Sequence, residues 1–286
     1  MDLEKWQALG NDYLIIERSK LPFELSRARI TRLCAPHFGL GADGILLVER
    51  LQGQEPLAGA LRIFNPDGSE AELSGNGARE AALYMHKHGW APAERFGIQT
   101  AAGIVCPEIL PEGFCRMDMG QAAVRSADYP DAPADGRGEV TVAGRALAFQ
   151  HVSIGNPQCA IALESEELLQ ALDLAAIGPA IEADPRFPNR TNVSFYVARS
   201  PQQIRARIFE RGVGETLSSG TGAAGAAVAH ALASGGGERT VKVLLDGGEL
   251  LVEVAADLHV HQRGWALPVY KATLAQELID ELAALE

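Results

Sequence analysis

One register of self-similarity constrains this chain more than any other feature. Arg62-Ile63-Phe64 recurs as Arg207-Ile208-Phe209, a shift of 145 residues. The same shift carries Gly10-Asn11 onto Gly155-Asn156, Glu70 onto Glu215 and Ser74-Gly75 onto Ser219-Gly220. It also carries Gly77-Ala78 onto Gly222-Ala223, and Ala81-Ala82 onto Ala226-Ala227. Chance matches between glycines and alanines scatter over many offsets, whereas one offset that holds over more than 70 residues marks a duplication. At 286 residues, each copy is long enough to bury a core of its own.

Both copies read alike in coarse structure. Residues 45–48 and 192–197 read as strands. Residues 62–64 and 204–209 alternate polar and apolar, as half-buried strands do. A glycine-rich turn follows each, and then a helix, expected over 78–88 and 223–233. Ala223, Ala224, Gly225, Ala226 and Ala227 are small enough for a helix packed closely inside other structure. The boundary between copies falls near Met119-Gly120, ahead of a Pro/Asp/Gly-rich loop at 128–136. The expected organisation is an N-terminal half-domain over 1–119 and a C-terminal half-domain over 120–271. A closing amphipathic helix within 272–286 packs back on the first half. The fold class is α+β, with two pseudo-symmetric α/β half-domains.

Charge and apolar runs narrow the function. A net charge of −12 argues against non-specific binding to nucleic acid or anionic membranes. No apolar run reaches the roughly 18 residues of a spanning helix, and the start, Met1 to Trp6, does not read as a signal peptide. The expected setting is cytoplasmic. Cys34, Cys106, Cys115 and Cys159 follow no metal spacing and read as buried, inert thiols. His259-Val260-His261 places two imidazoles on one face of a strand, but no third ligand stands nearby in sequence, and no metal site is expected.

The chemistry is expected at Ser74-Gly75-Asn76-Gly77 and Ser219-Gly220-Thr221-Gly222. Each puts small residues at a helix entry, where unpaired backbone N–H groups and the helix dipole favour a carboxylate or phosphate. One such turn is weak evidence. Two related ones, aimed at a shared cleft, are stronger. Neither carries the Walker lysine, and neither is read as a Gly-x-Gly-x-x-Gly dinucleotide turn. Asn11, Asn65, Asn156 and Asn192 sit in irregular or glycine-flanked places, with Glu210 and Arg211 beside Gly212. Singly an asparagine there is a backbone cap. Together these residues supply donors and acceptors for a zwitterion.

Several segments resemble the diaminopimelate epimerase family. In the first copy they are Leu9-Gly10-Asn11-Asp12, Gly39-Leu40-Gly41-Ala42-Asp43-Gly44, Phe64-Asn65-Pro66-Asp67-Gly68-Ser69 and Gly75-Asn76-Gly77-Ala78-Arg79. In the second they are Gly155-Asn156-Pro157, Arg190-Thr191-Asn192 and residues 210–216, from Glu210-Arg211-Gly212 to Thr216. The likeness runs from about residue 3 to about residue 270, in order. It implies half-domains that are each a barrel-like sheet around a central helix, in a homodimer. It implies a cofactor-independent isomerase that interconverts LL- and meso-diaminopimelate for lysine and cell-wall synthesis. Carried over, Asn11, Asn65, Asn156, Asn192 and Arg211 would hold the distal end of the substrate, and Gly75-Asn76 and Gly220-Thr221 the carboxylate at the reacting carbon.

The family's two catalytic cysteines are Ser74 and Ser219 here, and its histidine partner is Gln158, counted with the substrate-binding residues. Its glutamate partner is kept as Glu210, Gly44 replaces a longer polar side chain, and Glu80 stands where a further, non-catalytic cysteine is common. Glu80 is expected to be solvated or to cap the helix. Ser74, Ser219 and Glu210 are the catalytic candidates. A thiol ionises near pH 8.5 and a hydroxyl near 16, so making the base from serine at neutral pH costs about 10 kcal/mol more than making a thiolate. A helix N-terminus offsets about 1–2 kcal/mol of that. Three readings stay open. The serines are deliberate replacements, against which Gln158 and Glu80 count. Or the chain uses other bases, Glu210 foremost, as an epimerase or as a one-face isomerase or dehydratase. Or it binds diaminopimelate-like ligands without turning them over.

Overall fold

The computed structural model describes residues 1–72, 74–91, 93–142 and 144–285. The chain forms two compact units, Met1–Met117 with Gly264–Glu286, and Asp118–Arg263. The chain runs β1 Asp2–Ala8, β2 Asn11–Glu17, α1 Arg27–Cys34, β3 Ile45–Arg50, β4 Leu57–Phe64, β5 Glu70–Ala71 and α2 Gly75–Lys87. It continues through β6 Gly97–Thr100, β7 Gly103–Val105, β8 Glu108–Leu110 and β9 Phe114–Gln121. Next come β10 Arg137–Val142, β11 Arg145–Ser153, β12 Pro157–Ala162, α3 Glu166–Ala171 and α4 Leu174–Glu182. β13 Asn192–Ser200, β14 Gln203–Glu210, β15 Gly214–Thr216 and α5 Gly220–Ala233 lead to β16 Arg239–Leu245, β17 Gly248–Val254 and β18 His259–Trp265. β19 Leu267–Thr273 and α6 Gln276–Ala284 end the chain.

The sheet of the first unit is ordered β19-β1-β2-β3-β4-β6-β7, with β5 paired to β4. In the second sheet the order is β10-β11-β12-β13-β14-β16-β17-β18-β9-β8, with β15 paired to β14. The duplication is visible strand by strand. β2 lies parallel to β3 and β4 parallel to β6, as β12 lies parallel to β13 and β14 to β16. The hairpins β4–β5 and β14–β15 lead into α2 and α5.

Each long helix packs on the sheet of its own unit, α2 on β1–β4 and α5 on β11–β14, β16 and β17. Small residues permit the close approach of α5. A Cβ on Gly222 would lie 2.8 Å from Ile208 Cδ1, and one on Gly225 would lie 2.7 Å from Gln158 Cβ. The second unit also buries Phe149, Phe187, Val193, Phe195 and Phe209 against α3 and α4, in a cluster with Leu169, Leu174 and Ile181.

Three expectations change. Residues up to 271 were assigned by sequence to the second half, but the chain re-enters the first unit at Gly264. The reason is β19, which pairs antiparallel with β1 from Asp2↔Thr273 to Gln7↔Leu267. Both long helices begin three residues earlier than periodicity suggests, because serine caps rather than the first apolar residue set their starts. Cys34, Cys115 and Cys159 are buried, with burial pushing the Cys34 and Cys115 thiols up to about 12, but Cys106 is exposed. In the first unit, α6 buries Leu282 beside Ile30 and Leu33, and Arg29 donates to the Leu282 and Ala283 carbonyls. Truncating such a leucine costs about 2–5 kcal/mol. Among the described residues, no helix is long and apolar enough to cross a membrane.

Candidate active site

Ser74 and Ser219 are the N-cap residues of α2 and α5, with nearly identical backbones: φ −132°, ψ 123° and φ −140°, ψ 126°. Each hydroxyl accepts from the backbone N–H three residues on, Gly77 at 3.1 Å and Gly222 at 3.2 Å. A serine in extended conformation satisfies one of the orphan amides of a first turn in this way. The remaining amides of that turn carry the partial positive charge that suits a carboxylate.

A side-chain bridge steadies each cap. Asn76, on α2, donates to Asn11 Oδ1 at 3.3 Å, while buried Arg79 donates to Asn76 Oδ1 at 2.6 Å. The shifted pair repeats it, with Asn156 donating to Thr221 Oγ1 at 3.2 Å. Asn11 also donates to Asp43 Oδ2, and Gln158 donates to Asn156 Oδ1 at 2.6 Å.

The two caps differ in what meets the serine oxygen. Ser219 donates to Glu210 Oε2 at 2.9 Å, and Thr216, across the β14–β15 hairpin, donates to Glu210 Oε1 at 2.8 Å. Burial raises the Glu210 pKa above the ordinary carboxylate value, and the bonds from Thr216 and Ser219 offset part of that. A carboxylate so placed is a stronger base than a free glutamate. In the first unit the Tyr13 hydroxyl donates to Ser74 Oγ at 3.3 Å. Gly44 makes room for the ring, since a Cβ there would lie 2.8 Å from Tyr13 Cε1 and 2.3 Å from the Phe64 carbonyl.

The other expected residues divide. Asn192 is buried and engaged by backbone, donating to the Pro157 carbonyl and accepting from Arg211 N–H. The Arg211 guanidinium is exposed and donates to the Asn189 carbonyl. Asn65 donates to Ser69 within the β4–β5 turn. The fully buried Gln158 has an Oε1 with no hydrogen-bond partner among the described residues. Glu80 is neither solvated nor a cap: it is fully buried on α2, and burial raises its pKa well above the ordinary value.

Tyr13, Thr216 and Asp43 were not singled out from sequence. The repeat held a signal for the first, because a shift of 145 carries Tyr13 onto Gln158, the family's histidine position. Gly220, Gly222 and Gly225 do have Gly-x-Gly-x-x-Gly spacing, contrary to the sequence reading. In the dinucleotide turn these glycines follow a parallel strand directly, whereas here the β15 hairpin intervenes and Gly225 packs on Gln158.

The profile of a family described as "Diaminopimelate epimerase" matches residues 4–124 and 150–266. A protein of that name from Pelotomaculum thermopropionicum is 38% identical over 94% of this chain and 97% of its own. Among solved structures, a phenazine biosynthesis protein of the PhzF family from Bacillus anthracis superposes with a TM-score of 0.69 at 17% identity, over 96% of this chain and 99% of that one. A hydroxyproline epimerase from Agrobacterium vitis, solved with trans-4-hydroxy-L-proline bound, gives 0.64 at 14% identity, over 95% and 91%. These two likenesses concern the fold.

Proposed function

Because the chain belongs to the diaminopimelate epimerase family, we propose that it interconverts LL- and meso-diaminopimelate by proton removal and return at the α-carbon, with serine caps backed by Glu210 and Tyr13 in place of thiols. The supporting observation is the opposite sense of two hydrogen bonds at otherwise matching caps. Ser219 donates to a carboxylate, and Ser74 accepts from a phenol.

In this reading both caps serve one α-carbon, from opposite faces. The Ser219 oxygen takes the α-proton while its own proton passes to Glu210, so no free alkoxide forms. The Ser74 hydroxyl gives its proton to the other face, and the Tyr13 hydroxyl replaces it. One C–H bond breaks and one forms, leaving Glu210 protonated and Tyr13 as phenolate until exchange with water resets both. The reverse reaction runs the same steps backwards. Handing the charge to a phenol, with a pKa near 10 against about 16 for a serine hydroxyl, removes about 8 kcal/mol from the cost of an alkoxide. The first-turn amides, with Asn76 and Thr221, hold the α-carboxylate. Asn11, Asn65, Asn156, Gln158, Asn192 and Arg211 are assigned to substrate binding. No cofactor takes part in these steps. A cytoplasmic homodimer belongs to the same proposal, supported by family membership for the dimer and by the sequence for the compartment.

One observation favours a second reading, a one-face isomerase or dehydratase. No carboxylate bonds Ser74 among the described residues, so Glu210 is the one carboxylate base on a cap serine. Chiral separation of reaction mixtures tests the proposal. Conversion in both directions is expected, starting from LL- or from meso-diaminopimelate. Activity that arises only in the Ser74→Cys, Ser219→Cys double variant would reject the serine mechanism.

A further inference from the structure

We infer that Asp118, His259 and His261 form a binding site for a divalent transition-metal ion of the zinc or nickel type. The two histidines alternate with Val260 on β18 and therefore share a face, their ring centroids 4.9 Å apart. The third ligand missing from the sequence comes from β9, the neighbouring strand, at a separation of 141 residues from His259. Asp118 Oδ1 lies 2.7 Å from His259 Nε2, and Asp118 Oδ2 lies 4.0 Å from His261 Nε2. One ligand atom from each of the three residues lies within 4.8 Å of the others.

Ligands about 2.0–2.2 Å from a tetrahedral ion stand about 3.3–3.5 Å apart. The side chains therefore reach coordination by shifts on the order of 1 Å, without moving the strands. Two imidazoles and a carboxylate favour borderline ions over magnesium or calcium, which call for more oxygen ligands. The backbone holds the ligands in place. Gly120 N–H donates to Asp118 Oδ1 at 2.8 Å, and His259 N–H donates to Asp257 Oδ1 at 3.0 Å. The three side chains are between a quarter and a half exposed, which leaves an entry path and room for water as the fourth ligand. Asp118 is the first residue of the second unit, and His259 and His261 lie in its last strand. A bound ion would thus tie together the segments through which the chain enters and leaves that unit. Binding to the folded state alone stabilises it.

Calorimetric titration of chelator-treated full-length protein with zinc chloride, and separately with nickel chloride, tests the site without reference to catalysis. One ion per chain is expected, with at least about tenfold weaker binding in each of Asp118→Asn, His259→Gln and His261→Ala. Zinc should also raise the thermal midpoint of the parent and not of the variants. Circular dichroism without metal identifies any variant that fails to fold, and the remaining two then carry the comparison. Absence of binding in the parent would overturn the inference. Equal binding in parent and folded variants would overturn it too, by placing the metal elsewhere, such as at exposed Cys106.

Discussion

The caps of α2 and α5 share backbone torsions, a bond to the third amide and an asparagine bridge to the helix, yet they keep their proton partners in different places. The shift that aligns the two units carries Tyr13 onto Gln158 and Asn65 onto Glu210. Each unit thus has one proton-carrying group, on β2 in the first and at the end of β14 in the second, and a neutral amide at the complementary position. Backbone amides need only the helix start, so duplication preserves the serine-capped first turns. Proton transfer needs particular side chains, and there the copies have diverged. A second contrast lies one turn deeper. α2 buries Arg79 and Glu80 where α5 has Ala224 and Gly225.

Replacing the partners one at a time tests the division of labour. Glu210→Gln should have the largest effect, lowering kcat on the order of a thousandfold with KM little changed, as loss of a general base does. Steady-state epimerisation, with circular dichroism to confirm folding, reads it. The raised pKa of Glu210 sets a sign as well. The forward base must be ionised, so kcat/KM should rise with pH through a midpoint above the ordinary glutamate value of about 4.3. A midpoint at or below that value would move the base elsewhere.

Tyr13→Phe removes one hydroxyl and keeps the ring beside Gly44. A loss of about a hundredfold in kcat is expected, smaller than for Glu210 because Ser74 keeps its own proton. A variant as fast as the parent would leave the first cap without its proposed proton source.

The deeper contrast is open to a stability measurement. Glu80 has its pKa raised by burial, so between the unfolded value and the folded one the folded chain holds a proton that the unfolded chain releases. Its contribution is therefore present in acid and lost as pH rises above about 4.3. Glu80→Gln should match the parent near pH 4 and exceed its stability at neutral pH by about 1–3 kcal/mol, measured by urea unfolding. A variant less stable than the parent at neutral pH would mean that Glu80 works as an ionised partner of Arg79. The smallest effects on stability should come from the caps themselves. Ser74→Ala and Ser219→Ala should each cost about 1 kcal/mol, and the near-equality of the two is the prediction.

The repeat, the strand–turn–helix order and the two helix entries were legible in sequence, whereas the serine caps, which start both helices three residues earlier than expected, were not. Nor was Tyr13. It opens the apolar run Tyr13-Leu14-Ile15-Ile16 and reads as core, and its hydroxyl acquires a role only from Gly44 and Ser74, which the fold brings beside it. Glu80 was read as solvated because helical glutamates usually are, whereas α2 is enclosed around most of its circumference. Asn192 and Arg211 show the reverse limit. Their positions match the family, but the Asn192 amide and one N–H of the exposed Arg211 guanidinium also bond to backbone, which the family pattern does not reveal. The strand that returns to the first sheet at Leu267 was missed because pairing between β1 and β19 joins opposite ends of the chain.

Incubation of the parent protein with LL-diaminopimelate in D₂O tests most directly whether serine oxygens backed by Glu210 and Tyr13 invert the α-carbon. The account predicts one deuterium at the α-carbon of the meso product, with early recovered LL substrate unlabelled. Deuterium in recovered LL substrate without meso product would contradict it, and so would saturable binding with no exchange at all.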